Sequence, residues 1–169
     1  VGLSIFDLLV GDGAVRPTAD HGYRAAVSAA DAAEGVVMPG RFGAGAGATV
    51  GKWRGRDRAR DGGLGVAVVR RQDLVVAALV VVNAFGDIDD GSPLAPRLQD
   101  PPAPDPDMAF GNTTVGLVVT NATLTKTQCH LTAQSGHDGL ARSLSPSHTL
   151  VDGDAIVAAA TGSLGRTVP

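Results

Sequence analysis

The 169-residue sequence predicts an α/β fold of packed layers, and three observations carry that prediction. Valine-rich runs at 65–69, 74–83 and 115–121 are apolar on both faces, as expected of strands buried inside a layered domain. Helical patterns at 19–33 and about 123–144 alternate with those runs. There are 23 glycines against 4% aromatic residues, so the core must be built from Val, Ala and Leu around close backbone approaches. With 44% hydrophobic residues, 1–169 is long enough for a single domain with a real core.

Taken in order, 3–10 reads as a strand or buried extended segment closed by the turn Gly11-Asp12-Gly13. Pro17-Thr18 then starts an alanine-rich helix over 19–33, ended by Gly35. A glycine loop fills 43–51. The runs 65–69 and 74–83 are strands joined by the polar turn 70–73. The stretch 87–107 is rich in Asp, Pro and Ser, so 88–110 is expected to be an exposed, extended linker. A strand at 115–121 and a threonine-capped helix at about 123–144 follow. The closing segment 152–161 is assigned as a strand, because Ile156-Val157 and its short span outweigh the local helix preference of three alanines.

Composition excludes several functions. A net charge of −3 and a pI near 5.7 offer no general attraction to nucleic acid or to an anionic membrane. The single Cys129 rules out an internal disulfide framework and reads as a packing residue on a helix. The longest apolar run, 74–82, is too short to cross a bilayer, and no charged-then-apolar leader opens the sequence. A cytoplasmic protein is expected.

The most informative motif is Gly111-Asn112-Thr113-Thr114, set between the proline-rich stretch and a strand. A hydroxyl residue there can attack the preceding peptide bond and emerge as a new amino terminus. An N-terminal threonine then carries nucleophile and base together, because its α-amine can take the hydroxyl proton. The same tetrapeptide also suits an ordinary turn or a glycosylation sequon.

Other candidates have equally plain alternatives. The loop Gly43–Lys52 fails the P-loop pattern: Ala46 sits where the first glycine belongs, and Trp53 follows the lysine. Its remaining use is close packing that aims Lys52 into a site, where an ammonium can stabilise negative charge. Arg54, Arg56, Arg58 and Arg60 lack aromatic platforms for nucleic acid beyond Trp53 and read as a solvated loop. Asn83 ends an apolar run and could serve an oxyanion hole or favour the following turn. Asp152-Gly153-Asp154 would point two carboxylates the same way in a strand, with the glycine allowing close approach, or else form a calcium-like or ordinary Asp-Gly-Asp turn. Histidines 21, 130, 137 and 148 match no zinc spacing, and no Gly-x-Ser-x-Gly elbow exists for a serine triad.

Together, Asp138-Gly139-Leu140-Ala141-Arg142, Pro146-x-His148-Thr149 and Asp152-Gly153-Asp154, in that order, make a specific signature. With 43–52, 62–65, 80–87, 111–126 and the residues around Asp12-Gly13 and Arg16-Pro17-Thr18-Ala19, the chain resembles the self-processing aminopeptidases. That family includes L-aminopeptidase/D-esterase, β-peptidyl aminopeptidases and the nylon-oligomer hydrolase. The Asn112-Thr113 junction is most similar to the nylon-oligomer hydrolase branch.

The resemblance implies a four-layered αββα fold, incomplete here because the family begins before Val1 and continues past Gly162 with a helical tail. It implies a precursor that cuts itself into an α-chain portion, 1–112, and a β-chain portion, 113–169. By motif, Thr113 is the nucleophile, Asn112 holds the cut carbonyl, Lys52 and Asn83 are the site lysine and oxyanion asparagine, and Asp152 and Asp154 orient the nucleophile. The implied function is amide hydrolysis of a small peptide or amide substrate by a homo-oligomer of cleaved pairs, with no cofactor or metal. The alternative is a non-catalytic fragment serving as a subunit or binding module.

Overall fold

The computed structural model describes residues 2–7, 10–32, 37–89, 91 and 111–167. Helix α1 spans Ala19–Asp31 after the expected Thr18 start, where the Thr18 N–H donates to His21 Nδ1 at 3.1 Å. None of its residues is buried, and Gly35, expected to end it, lies outside the described residues. The apolar segment before it departs from expectation: residues 2–7 form no strand, and Leu3 and Phe6 are exposed. The segment lies over a sheet and not within one. Ile5 packs on Ala48, Val81 and Val115, and the Phe6 carbonyl accepts a side-chain amide in place of a neighbouring strand.

The glycine loop is a packing device, as its failed phosphate pattern suggests. A 3-10 turn at Gly43–Gly45 leads into β1 (Thr49–Val50), which pairs antiparallel with β2 (Arg60–Asp61). Between them, 3-10 turns at Lys52–Arg54 and Arg56–Arg58 follow Gly51, whose φ is +77°. A Cβ at Gly51 would lie 2.6 Å from Asp87 Oδ1, so backbone conformation and space both demand glycine.

Strands β3 (Gly63–Arg71) and β4 (Leu74–Asn83) form the expected hairpin around Gln72 and Asp73. After β5 (Asp87–Ile88) come β6 (Thr113–Thr120), α2 (Lys126–Ala141), β7 (Leu144–Ser145) and β8 (Ala155–Ala160). The main sheet has the order β3-β4-β6-β8, antiparallel except for the β6–β8 pair. A parallel pair needs a crossover, and α2 supplies it. Helix α2 begins later than expected because Thr125 is the cap: its hydroxyl accepts the Gln128 N–H at 3.2 Å, and Gln128 Oε1 accepts the Thr125 N–H at 2.9 Å.

Three further expectations change. The start of the supposed linker is structured, since Asp87–Ile88 pairs with β7 and Asp87 is buried; 92–110 lie outside the described residues. Two of the four arginines are not merely solvated. Arg54 and Arg60 reach the buried Asp87 carboxylate at 2.9 and 2.5 Å, because a buried charge requires partners. Nor do the described residues cover the sheet on both faces. Leu140 and Leu144 pack with Val50 and Ala84 against Val80, Val82 and Ile156, while Val68 and Val69 at the far end of β3 stay exposed. No helix among the described residues is long and apolar enough to cross a membrane.

Candidate active site

Four pieces of chain meet at the Asn112–Thr113 bond: the end of β4, the start of β6, the turn after Gly51, and the loop before β8. The β4–β6 register sets Asn83 opposite Thr113 and Val82 opposite Thr114. Alternation along β6 therefore separates the two hydroxyls of the Asn-Thr-Thr motif. Thr114 turns towards the α2 side, is fully buried, and its hydroxyl has no partner among the described residues. Thr113 is half-buried, and its Oγ1–H donates to the carbonyl oxygen of Asn112 at 2.5 Å.

That oxygen has a second donor. The Gly153 N–H reaches it at 2.9 Å, next to a parallel bridge between Asn112 and Asp152. A Cβ on Gly153 would lie 2.9 Å from Thr113 Oγ1, so the glycine between the two aspartates is what lets the loop approach the hydroxyl. The backbone donor itself was not foreseen from sequence; the Asp-Gly-Asp spacing was its only signal.

Lys52 and Asn83 do come together. Lys52 is 7% exposed, and its ammonium lies within 2.9–3.3 Å of Asn83 Oδ1, the carbonyls of Thr49, Asn83 and Gly111, and Thr49 Oγ1. Burial lowers its pKa from 10.5 to about 8; the Asp152 carboxylate pulls it back up and Arg56 pushes it further down. The Asn83 amide donates to the Phe6 and Gly111 carbonyls at 3.0 and 3.1 Å. Both N–H donors are thus spent, one on Phe6 and one on the carbonyl a residue upstream of that of Asn112.

The two carboxylates diverge, contrary to the strand-based expectation, because only the residues from Ala155 onward are in β8. Asp152 accepts the Phe85 N–H at 3.0 Å through Oδ1, and the Thr149 hydroxyl and N–H at 2.6 and 3.0 Å through Oδ2. Asp154 accepts the Thr114 N–H at 2.7 Å through Oδ1 and faces His148 Nδ1 at 2.6 Å through Oδ2. The role of His148 had no sequence signal beyond its place in a motif. Among the described residues, no group of three or more His, Cys, Asp or Glu could hold a metal ion.

This arrangement can be compared with known proteins. Residues 3–167 match the model of peptidase family S58. The chain is 39% identical over 188 residues to an uncharacterized aminopeptidase of Mycobacterium leprae, covering 98% of this chain and 50% of that protein. It is 32% identical over 153 residues to the 6-aminohexanoate-oligomer endohydrolase of Paenarthrobacter ureafaciens, covering 79% of this chain and 42% of that protein. It therefore spans about half the length of the curated relatives it matches.

Among solved structures, a β-aminopeptidase from Burkholderia sp. is 30% identical with a TM-score of 0.63, covering 87% of this chain and 38% of the other. The L-aminopeptidase D-Ala-esterase/amidase of Ochrobactrum anthropi, a variant of the Ntn hydrolase fold, is 23% identical with a TM-score of 0.54. That likeness covers 81% of this chain and 37% of the other, and speaks to fold alone. Family model, relatives and folds agree with the motifs read from the sequence: the chain belongs to peptidase family S58.

Proposed function

We propose that this chain is a self-cleaving N-terminal-nucleophile amide hydrolase that cuts between Asn112 and Thr113. The observation that carries this reading is the convergence of Thr113 Oγ1–H and the Gly153 N–H on the Asn112 carbonyl oxygen. In the cut, Oγ1 bonds to the Asn112 carbonyl carbon while the oxygen gathers charge against the Gly153 N–H. The hydroxyl proton passes to the Thr113 nitrogen as the C–N bond breaks, leaving an ester and a free amine. Water then splits the ester, giving the Asn112 carboxylate and an N-terminal threonine.

In the mature site the Thr113 amine takes the proton of its own hydroxyl and Oγ1 attacks a substrate amide; the substrate amine leaves with that proton as its C–N bond breaks, and water then releases the acyl group from Oγ1. Departure of Gly111 and its neighbours from the cut end would free one Asn83 N–H for the substrate oxyanion. Lys52 adds positive charge beside it, and Asp152 keeps that lysine protonated. Asp154 fixes Thr113 through the Thr114 N–H. A small peptide or oligoamide substrate is supported by relatives named as an aminopeptidase and as an oligoamide endohydrolase. A cytoplasmic homo-oligomer of cleaved pairs belongs to the same proposal.

Intact mass under denaturing conditions tests it. Two species, 1–112 and 113–169, are expected from the wild type, and one uncut species from Thr113→Ala. A wild-type chain that stays whole for days sinks the reading. The second reading, a non-catalytic subunit or binding module, has one observation in its favour: an open apolar cleft of about 310 Å³ along the sheet. Under that reading Thr113→Ala changes nothing.

A further inference from the structure

Asp154 is held from both sides. While Oδ1 grips the Thr114 N–H, Oδ2 meets His148 Nδ1 at 2.6 Å, and the other ring nitrogen, Nε2, faces the His137 carbonyl oxygen at 3.2 Å. A carbonyl oxygen only accepts, so Nε2 carries a proton. An ionised carboxylate also only accepts, so the short Nδ1···Oδ2 contact requires a second proton, whether on the ring or on the carboxyl group. The arrangement is costly to build, because His148 sits at φ +51°, left-handed backbone that few residues other than glycine adopt.

Two other facts bear on that proton. The His148 side chain is 34% exposed against 6% for Asp154, so of the two groups the ring is the one that solvent reaches. Among the described residues, the titratable groups facing the ring are Asp154 on its own loop and His137 on α2, whose ring centroid lies 5.0 Å away. Asp152 is committed to Phe85 and Thr149.

We propose that His148 is a positioning residue for self-cleavage, holding Asp154 through one shared proton so that the carboxylate clamps the Thr114 N–H and fixes Thr113 against the Asn112 carbonyl. The inference rests on the self-cleavage reading above. His148 makes and breaks no covalent bond. Removing the shared proton sets two lone pairs against each other across the Nδ1···Oδ2 contact. Asp154 then swings away and the clamp on the Thr114 N–H loosens.

Two measurements test this. In the uncut Thr113→Ala chain, proton NMR with nitrogen-15-labelled histidine should show a protected, far-downfield proton bridging His148 and Asp154, together with a protonated Nε2. Its absence at the pH where the wild type cuts fastest overturns the proposal. In chains that retain Thr113, His148→Ala should slow cutting by about ten- to a hundredfold, the scale of a misplaced reacting group. His148→Asn should restore the rate to within about threefold, since asparagine tolerates positive φ and its Nδ2 is a permanent donor where Nδ1 stood.

The pH profile separates positioning from mere structure. Cutting by the wild type should fall as the shared proton is lost, and His148→Asn should lack that limb. Lys52 titrates in both proteins, so only the difference between their profiles belongs to His148. Cutting by His148→Ala at the wild-type rate, or a His148→Asn profile identical to that of the wild type, refutes the role. A wild type that never cuts refutes self-cleavage instead, and the bridging proton in the uncut chain then decides the pairing alone.

Discussion

The two faces of the main sheet differ although the same strands build both. On one face, Leu140 of α2 and Leu144 of β7 pack onto Val80, Val82 and Ile156, and Gly136 lets the helix come so close that a Cβ would lie 2.9 Å from Ile156. On the other, Leu64, Leu79, Val81, Val115, Leu117 and Val157 line a cleft of about 310 Å³ that the described residues cover only in part, with Leu3 and Ile5. Asn83 and Thr113 lie in register at one end of this second face, continuing the alternation through Val81 and Val115. The closed face supplies stability, and the open face ends in the polar cluster around the Asn112–Thr113 bond. A sheet buries both faces to be stable in water, so the face that the described residues leave open is where further contacts are expected.

The widest gap between the faces should appear in large-to-small substitutions. Leu140→Ala removes a side chain 6% exposed from the closed face and should cost roughly 2–5 kcal/mol. Leu117→Ala, at 36% exposed on the open face, should cost only about 1–2 kcal/mol, because roughly a third of its transfer energy was never gained. Urea midpoints at constant m would report both. Equal losses would show that the open face is covered in solution, and the comparison would fail.

Next in size is the pH response of the polar cluster that closes the open face. Lys52 has a folded-state pKa of about 8 against 10.5 for a free lysine, chiefly because it is buried. Between those values the unfolded chain binds more protons than the folded one, so stability should rise as pH rises from about 8 towards 10.5. The gain should be on the order of 3 kcal/mol, from 1.36 kcal/mol per pK unit. Denaturant titrations across that window, with Lys52→Met as control, would measure it. A wild type no steeper than the control would mean that water reaches the ammonium.

These contrasts also explain what was legible in the sequence. The strands at 65–69, 74–83 and 115–121 were readable because β-branched runs bounded by turn residues leave few alternatives. Covering was not. A valine run that faces a helix on one side and an open cleft on the other has the same composition as one buried on both. Lys52, Asn83 and the two aspartates were legible as isolated polar residues at the ends of apolar runs or beside glycine. Their bonding was not, because the Gly153 N–H on the Asn112 carbonyl and the His148 ring on Asp154 are products of loop conformation. Asp87 was misplaced for a related reason: its neighbours Asp89, Asp90 and Ser92 give the stretch a linker's composition, yet two arginines some thirty residues upstream anchor it.

The smallest expected effect concerns α1, where the comparison extends beyond the sheet. Tyr23 and Val27 are one turn apart on the same side of the helix, 70% and 41% exposed, while Arg24 pairs with Asp20 across the surface. An exposed i,i+4 ion pair is worth about 0.3–0.5 kcal/mol, too little to hold a helix of 13 residues by itself. Tyr23→Ala should therefore shift stability by no more than about 0.5 kcal/mol, and amides of α1 should exchange faster than those of α2. A loss of about 2 kcal/mol, with α1 protected as well as α2, would mean that Tyr23 and Val27 are buried in solution. The helix would then be a second packed layer, and the N-terminal region would have to be grouped with the closed face rather than the open one.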